Sequence, residues 1–310
     1  MRHGSIKTDL SVLAVVLMIT AGSLAFPEIM ISLRYYLLGF CMLLIGIPHG
    51  AIDHIISSRL YSLDGDPKSQ LKFYIPYLLL MFLMALVWLL SGIAGFILFV
   101  LITIYHFGQA DLEHLDFPSG IRWVLTFSRG LMILSLIIFV NVSYTLPVIG
   151  EATGVTLQNV GWLYSNGYIF GILLGIQHPV LMLIATFRFR ERQHTSWWYP
   201  FIDSLVILFL FAFNDPIIGF SVYFALWHSM GHFLEMKKFF NDLGESLSLW
   251  KFYRLALPFT LISMVGLAII YLLNNAYGME EQMVSLLFIL ISVLTLPHVL
   301  VVEKMLKTKS

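Results

Sequence analysis

The stretch Trp227-His228-Ser229-Met230-Gly231-His232 places two histidines four residues apart inside a long apolar segment. On a helix, positions i and i+4 lie one above the other on the same face. Two neutral imidazoles in this arrangement can bind one metal ion from a single helix. Polar side chains are costly in the hydrocarbon of a membrane, and those found there usually have a function. The stretch therefore predicts a membrane-embedded metal site, completed by histidines from other helices.

The composition is typical of a membrane protein with several spanning helices. The 310 residues are 59% hydrophobic and only 12% charged, with a mean hydropathy of +0.86, whereas soluble proteins carry roughly a quarter charged residues. The net charge is zero, which gives no indication of a nucleic-acid partner. A single cysteine, Cys41, excludes both an internal disulfide framework and a metal site made of several cysteines.

The hydropathy pattern predicts an all-α polytopic membrane bundle, with one integral membrane domain over residues 1–310. Spanning helices need about 20 mainly apolar residues. Lys and Arg concentrate in alternate connections, which indicates about ten transmembrane helices with both termini cytoplasmic. The predicted spans are 10–26, 33–56, 73–90, 93–111, 121–141, 165–187, 200–213, 216–240, 252–274 and 281–303.

Two segments leave alternatives open. The N-terminal apolar run resembles a signal peptide with Ser23-Leu24-Ala25 as its cleavage site, but it is long for a signal core, so a retained first helix is preferred. The longest connection, 142–164, contains apolar residues and is interpreted as an outer lid or a re-entrant segment.

Six histidines share one level of the predicted bundle. All lie in even-numbered predicted helices, 11 to 17 residues past the outer end, so a rise of 1.5 Å per residue places them within about 10 Å in depth. A lone membrane histidine is more often an interhelical hydrogen-bonding residue, but six at one level favour a shared site. They are His49, His106, His178, His228, His232 and His298.

Acidic and aromatic residues accompany these histidines. Asp53 follows His49 by four residues, and it either accepts the second N–H of a ligating histidine or caps a helix end. Asp111 follows His106 by five residues. Aromatic residues near the same level suit either ordinary membrane packing or a slot for a long apolar polyene. They are Tyr105, Phe107, Tyr223, Phe224 and Trp227.

Several classes of function fit a histidine-rich membrane site. Imidazole suits iron, copper, zinc and nickel, and a redox metal suits an oxygenase or hydroxylase acting on a lipophilic substrate. A metalloprotease would need His-Glu-x-x-His, whereas position 229 is serine. A transporter with histidine relays is disfavoured by sparse charge within the spans. A haem carrier would not need the i,i+4 pair, and the two-metal site of lipid desaturases needs more histidine-rich boxes.

Four short motifs contain five of the six histidines. The most specific is Pro48-His49-Gly50-Ala51-Ile52-Asp53-His54. The others are Tyr105-His106-Phe107-Gly108-Gln109-Ala110-Asp111, the stretch 227–232, and Thr295-Leu296-Pro297-His298. Together they resemble the motifs of the Brp/Blh family of membrane β-carotene 15,15′-dioxygenases, occur in the order of that family and span most of the chain.

The resemblance implies central cleavage of β-carotene by O₂ into two retinals at a non-haem Fe(II). It also implies a multi-pass protein of the cell membrane that takes its substrate from the lipid bilayer and passes retinal to a rhodopsin. By the same resemblance the iron ligands are His49, His106, His228 and His232. Residues expected to hydrogen-bond to the ligands or to line the cavity are Asp53, His54, Asp111, His178, Trp227 and His298.

Overall fold

The chain folds into helices joined by short connections. The computed structural model describes residues 6–63, 66–155, 160–192, 198–276 and 283–308. Within these ranges there are helices and turns but no β-strand, which confirms the prediction of an all-α polytopic bundle.

The helices follow the apolar segments closely. In the first half they are α1 (Ile6–Ala25), α2 (Pro27–Cys41), a π-helix (Met42–Gly46), α3 (Ile47–Gly50), α4 (Asp53–Leu60), α5 (Pro67–Leu90), α6 (Gly92–Leu112), α7 (Ser119–Phe139) and α8 (Val142–Thr153). In the second half they are α9 (Gly161–Arg188), a 3₁₀ turn (Arg190–Arg192), α10 (Tyr199–Phe213), α11 (Pro216–Tyr223), a second π-helix (Phe224–Ser229), α12 (Met230–Asp242), α13 (Leu249–Ala276) and α14 (Met283–Lys307).

Eight helical segments of the described chain are long and apolar enough to span a membrane. Two further apolar helices, Ser11–Ala25 and Tyr199–Phe213, are shorter and coincide with the predicted first and seventh spans. The count of ten spans, the cytoplasmic termini and the retained first helix stay predictions. Within 142–164, helix α8 occupies the first half as 12 helical residues, and residues 156–159 lie outside the described parts of the chain.

Prolines and caps explain where several helices begin. Proline lies in the first turn of α5, α10 and α11, where its missing N–H removes no helical hydrogen bond. The carboxylate of Asp215 accepts a hydrogen bond from the Ile217 amide at 2.9 Å and caps α11. Around Pro48 the helix is interrupted, with a π-helix before α3 and a turn at residues 51–52 after it. This is the kind of break that a mid-helix proline predicts.

The chain divides into two compact units, and the one-domain prediction stays a prediction. The first unit comprises Met1–Leu43, Ile104–Thr145 and Gln158–Gly231. In it, α7 packs along α9, and both contact α10. Gly108 and Gly130 let the backbones of α6 and α7 approach closely, since a Cβ at either position would overlap a carbonyl oxygen of the other helix.

The second unit comprises Leu44–Thr103, Leu146–Leu157 and His232–Ser310. Helix α14 packs against α5 and α4, while α13 contacts α3 and α14. The indole N–H of Trp88 donates to the Ser292 hydroxyl at 2.6 Å and joins α5 to α14. Beside this bond, Met84, Trp88 and Phe99 form a buried apolar cluster.

Candidate metal centre

The six histidines that the sequence places at one level are all buried, none being more than 8% exposed. Apolar side chains on the same helices are exposed instead, for example Leu101 and Leu300. The histidines therefore face the interior of the protein, as expected for ligands rather than for residues at a lipid interface.

Three of these histidines meet in the second unit. The ring centres of His49 and His232 lie 5.6 Å apart, those of His49 and His298 lie 5.1 Å apart, and those of His232 and His298 lie 5.5 Å apart. They come from α3, α12 and α14, which are distant in sequence. We call these three residues the histidine triangle.

Hydrogen bonds fix the ring nitrogens of two members of the triangle. Nδ1 of His49 bonds to the carbonyl oxygen of Gly46, one turn earlier. Nδ1 of His298 lies 2.9 and 3.0 Å from the two carboxylate oxygens of Asp53. Carbonyls and carboxylates accept hydrogen bonds, so both Nδ1 atoms carry the hydrogen and both Nε2 atoms keep a lone pair. A lone pair on Nε2 is what a metal ion requires.

In the triangle, a ring nitrogen of His232 and one of His298 lie within 4.8 Å of each other, close enough for both to bind one transition metal ion. Two imidazoles on one ion, with metal–nitrogen distances of about 2.1 Å, have ring centres about 5 Å apart, close to the spacing of the triangle. Neutral nitrogen donors suit iron, zinc, copper or nickel rather than magnesium or calcium.

The first unit contains a second histidine contact. The rings of His106 on α6 and His228 in the second π-helix lie 4.9 Å apart, nearly perpendicular to each other. Phe107 meets His228 edge-on at 4.7 Å, and Phe224 stacks on it at 5.0 Å. Aromatic rings therefore support two sides of this imidazole.

The two histidines of the quoted stretch lie on one continuous helical segment. His228 is the last residue but one of the second π-helix, and His232 lies in the first turn of α12, where the chain passes from the first unit into the second. The sequence predicted a plain α-helix here, whereas residues 224–229 are wound as a π-helix. Such π-segments are rare and frequently occur at functional sites.

A charged network braces the helices that carry His106 and His228. Arg129, on α7, is 1% exposed and donates to Asp111 and to Asp203, each at 2.9 Å. Asp111 also accepts from the Tyr223 hydroxyl at 3.2 Å, and Asp203 accepts from the indole of Trp227 at 2.7 Å. Thus Asp111 and Trp227, both expected near the ligands, join a network centred on Arg129.

The other expected residues take distinct places. Asp53 accepts from His298 and from the Tyr77 hydroxyl, the latter at 3.0 Å. It therefore holds a histidine far along the chain rather than its neighbour His49. His178 bonds to Ser128 at 2.9 Å and links α9 to α7. His54 bonds to the Ala51 carbonyl at 3.1 Å and packs on Phe259, so it holds its own helix turn.

Sequence reasoning did not single out Arg129, Asp203 or Tyr77. Arg129 and Asp203 carry a detectable signal, because ionisable residues inside apolar spans are usually functional. Tyr77 has no comparable signal, since tyrosine is common in membrane helices.

A small pocket borders the network around Arg129, and both acidic and aromatic residues line it. Its lining residues are Asp111, Leu112, His114, Leu115, Tyr199, Pro200, Asp203 and Trp227.

Comparison with known proteins found a matching family model and two similar proteins. Residues 40–306 match the family model described as beta-carotene 15,15′-dioxygenase. The chain is 24% identical over 262 residues to the beta-carotene 15,15′-dioxygenase of uncultured marine bacterium 66A03, covering 84% of this chain and 89% of that protein. It is 25% identical over 291 residues to the probable beta-carotene 15,15′-dioxygenase Blh of Halobacterium salinarum, covering 88% and 84%. No solved structure matches it significantly.

Proposed function

Because the chain belongs to the β-carotene 15,15′-dioxygenase family, we propose that it cleaves the central 15,15′ double bond of β-carotene with O₂. The carbon–carbon bond breaks, and each carbon receives one oxygen atom, so one β-carotene gives two molecules of retinal. Both oxygen atoms enter the product, and no separate reductant is required. The names of the two relatives and the match over most of the chain support this activity.

The proposed cofactor is one Fe(II) held by His49, His106, His228 and His232. The burial of all four side chains, the histidine triangle and the contact between His106 and His228 support this assignment. When bound, the iron supplies the one-electron chemistry that makes O₂ reactive toward an alkene. This set of ligands rests on the family resemblance together with the positions of the histidines.

The protein orients the ligating histidines and excludes water from the site. The Gly46 carbonyl fixes the tautomer of His49, so that Nε2 is the donor atom. Phe107 and Phe224 support the His228 ring, which limits the positions that it can take. Phe107 and Phe224 also exclude water from this side of the site.

The exposed apolar surface supports the proposed substrate and location. A C40 hydrocarbon resides in the bilayer, and large apolar side chains are exposed along the spanning helices. We place the protein in the cell membrane as a multi-pass enzyme that takes β-carotene and O₂ from the lipid. Retinal then passes to a rhodopsin apoprotein, a partner that comes from the family context.

Expression in bacteria that make β-carotene tests the proposal. We expect loss of the orange pigment, retinal in the extract and about one iron per purified chain. His228→Ala should abolish retinal and iron while the protein still inserts, and His114→Ala, which changes a histidine in the turn after α6, serves as the matched control. Iron without retinal would indicate an oxidase or hydroxylase of another lipid. Well-folded protein with neither iron nor retinal would refute the proposal and favour a transporter.

A further inference from the structure

We infer that His298 is a further ligand of the metal and that Asp53, itself held by Tyr77, is its positioning residue. This inference rests on the proposed function only in assuming that the chain binds a transition metal. The family resemblance placed His298 among residues that line the cavity or support the ligands, and the geometry assigns it a more direct role.

The first argument is the symmetry of the histidine triangle. The distances from His298 to His49 and to His232 are 5.1 and 5.5 Å, and the distance between the two expected ligands is 5.6 Å. His298 is therefore as close to each expected ligand as those ligands are to each other. Its ring is nearly perpendicular to His49 and tilted 68° from His232, so it meets both edge-on and does not stack on either.

The second argument is the hydrogen bond on the far ring atom. Nδ1 of His298 faces both oxygens of Asp53, which leaves Nε2 as the lone-pair donor. Histidines that ligate metals usually donate their other N–H to a carboxylate or a carbonyl. In the triangle, His49 makes this bond with a carbonyl and His298 makes it with a carboxylate.

The third argument is the charge of Asp53. This carboxylate is 2% exposed, and its hydrogen-bond partners are the Tyr77 hydroxyl and the imidazole of His298. A buried carboxylate is costly unless an opposite charge lies near it. A divalent cation on Nε2 of His298 supplies that charge through the ring. If the bond between Asp53 and His298 served only to pack two helices, a neutral acceptor in place of the Asp53 carboxylate would be sufficient.

Metal titration of the purified full-length protein tests the inference. The stripped protein in detergent is titrated with Co(II), and the visible absorption of the bound ion reports the number of nitrogen donors. We expect His298→Ala to weaken Co(II) binding more than 100-fold and to change the spectrum. Asp53→Asn should weaken binding about 10- to 100-fold, as found for partners of ligating histidines, and Tyr77→Phe should weaken it less.

The matched control is His54→Ala. His54 lies on the helical segment beside His49 and makes a similar bond to a carbonyl, but its ring packs on Phe259. Its removal should leave the Co(II) affinity and spectrum at the level of the wild type. Circular dichroism and gel filtration establish that each variant is folded. If His298→Ala does not fold, the Co(II) affinity and spectrum of Asp53→Asn test the inference instead.

The outcomes separate this inference from the proposed function. The inference would be overturned if folded His298→Ala bound Co(II) with the affinity and spectrum of the wild type, even if the enzyme makes retinal. If only Asp53→Asn folds, the same result in that variant would overturn it. Loss of metal in these variants, in a protein that binds metal but makes no retinal, would support the inference while the proposed activity fails. A wild-type protein that binds neither Fe(II) nor Co(II) would overturn both.

Discussion

Nε of Arg129 donates to the carboxylate of Asp111 at 2.9 Å, and both side chains are almost fully buried, at 1% and 2% exposure. Asp111 lies five residues beyond His106 on α6, and Arg129 lies near the middle of α7. The same guanidinium donates to Asp203 and Ser204 on α10. One cation therefore joins three helices, one of which carries an expected ligand.

Replacing Arg129 by glutamine is expected to destabilise the protein by about 3–5 kcal/mol. The reason is that removing one partner of a buried ion pair leaves an uncompensated charge, and here two carboxylates lose their cation. Thermal unfolding in detergent, followed by circular dichroism, measures the effect. Adding Asp111→Asn to the same variant should recover part of the loss, because one uncompensated carboxylate is removed. A single variant as stable as the wild type would contradict the role of Arg129 as a brace.

Alanine at Gly108 or at Gly130 is expected to disrupt the packing of α6 against α7. A Cβ at Gly108 would overlap the carbonyl oxygen of Thr126, and a Cβ at Gly130 would overlap that of Ile104. Backbone atoms yield less than side chains, so the loss should exceed the roughly 1–3 kcal/mol typical of overpacking. Gly39→Ala is the control, since nothing lies within 4 Å of its Cβ. Equal unfolding temperatures for the three variants would contradict the close approach of the helices.

The sequence predicts the helices well and the contacts between them poorly. The segment predicted at 93–111 is helix Gly92–Leu112, because hydropathy marks a spanning helix directly. The bond between Asp53 and His298 joins positions 245 residues apart, and no local pattern encodes it. The π-helix at Phe224–Ser229 also depends on tertiary packing, since the same residues would satisfy an α-helix. Arg129 was detectable as an intramembrane charge, but its pairing with Asp111 and Asp203 was not.

Phenylalanine at Trp227 is expected to weaken the brace beside His228. The indole N–H donates to Asp203 at 2.7 Å, and a hydrogen bond to a charged group contributes about 1.5–3 kcal/mol. Phenylalanine keeps an aromatic ring next to His228 but removes the donor. The measurements are the unfolding temperature and the rate of retinal formation, both of which should fall, the former less than in Arg129→Gln. An unchanged unfolding temperature would show that this hydrogen bond does not stabilise the fold.

The ion pair between Arg59 and Glu245 is expected to give a small stabilisation that depends on pH. The hydrogen bond from Arg59, at 2.6 Å, lowers the pKa of Glu245 below its ordinary value of 4.5. Its contribution to stability is therefore complete above that value and is lost as the pH falls through the lowered pKa. Both side chains are partly exposed, so solvent screens the pair. Glu245→Gln should lower the unfolding temperature slightly at pH 7 and not at a pH below the folded-state pKa. A difference that persists unchanged at low pH would contradict this assignment.

Removing the metal is expected to lower the stability of the protein without unfolding it. A ligand that binds the native state alone stabilises it by RT ln(1 + [L]/Kd), which is about 2.7 kcal/mol at a free concentration 100 times Kd. The proposed ligands come from α3, α6, α12 and the second π-helix, so a bound ion links segments that are far apart in sequence. Treatment with a chelator should lower the unfolding temperature, and added Fe(II) should restore it. In His232→Ala, which removes a member of the histidine triangle, neither treatment should change the unfolding temperature. A chelator effect of equal size in this variant and in the wild type would place the metal elsewhere, because the triangle would then contribute nothing to its binding.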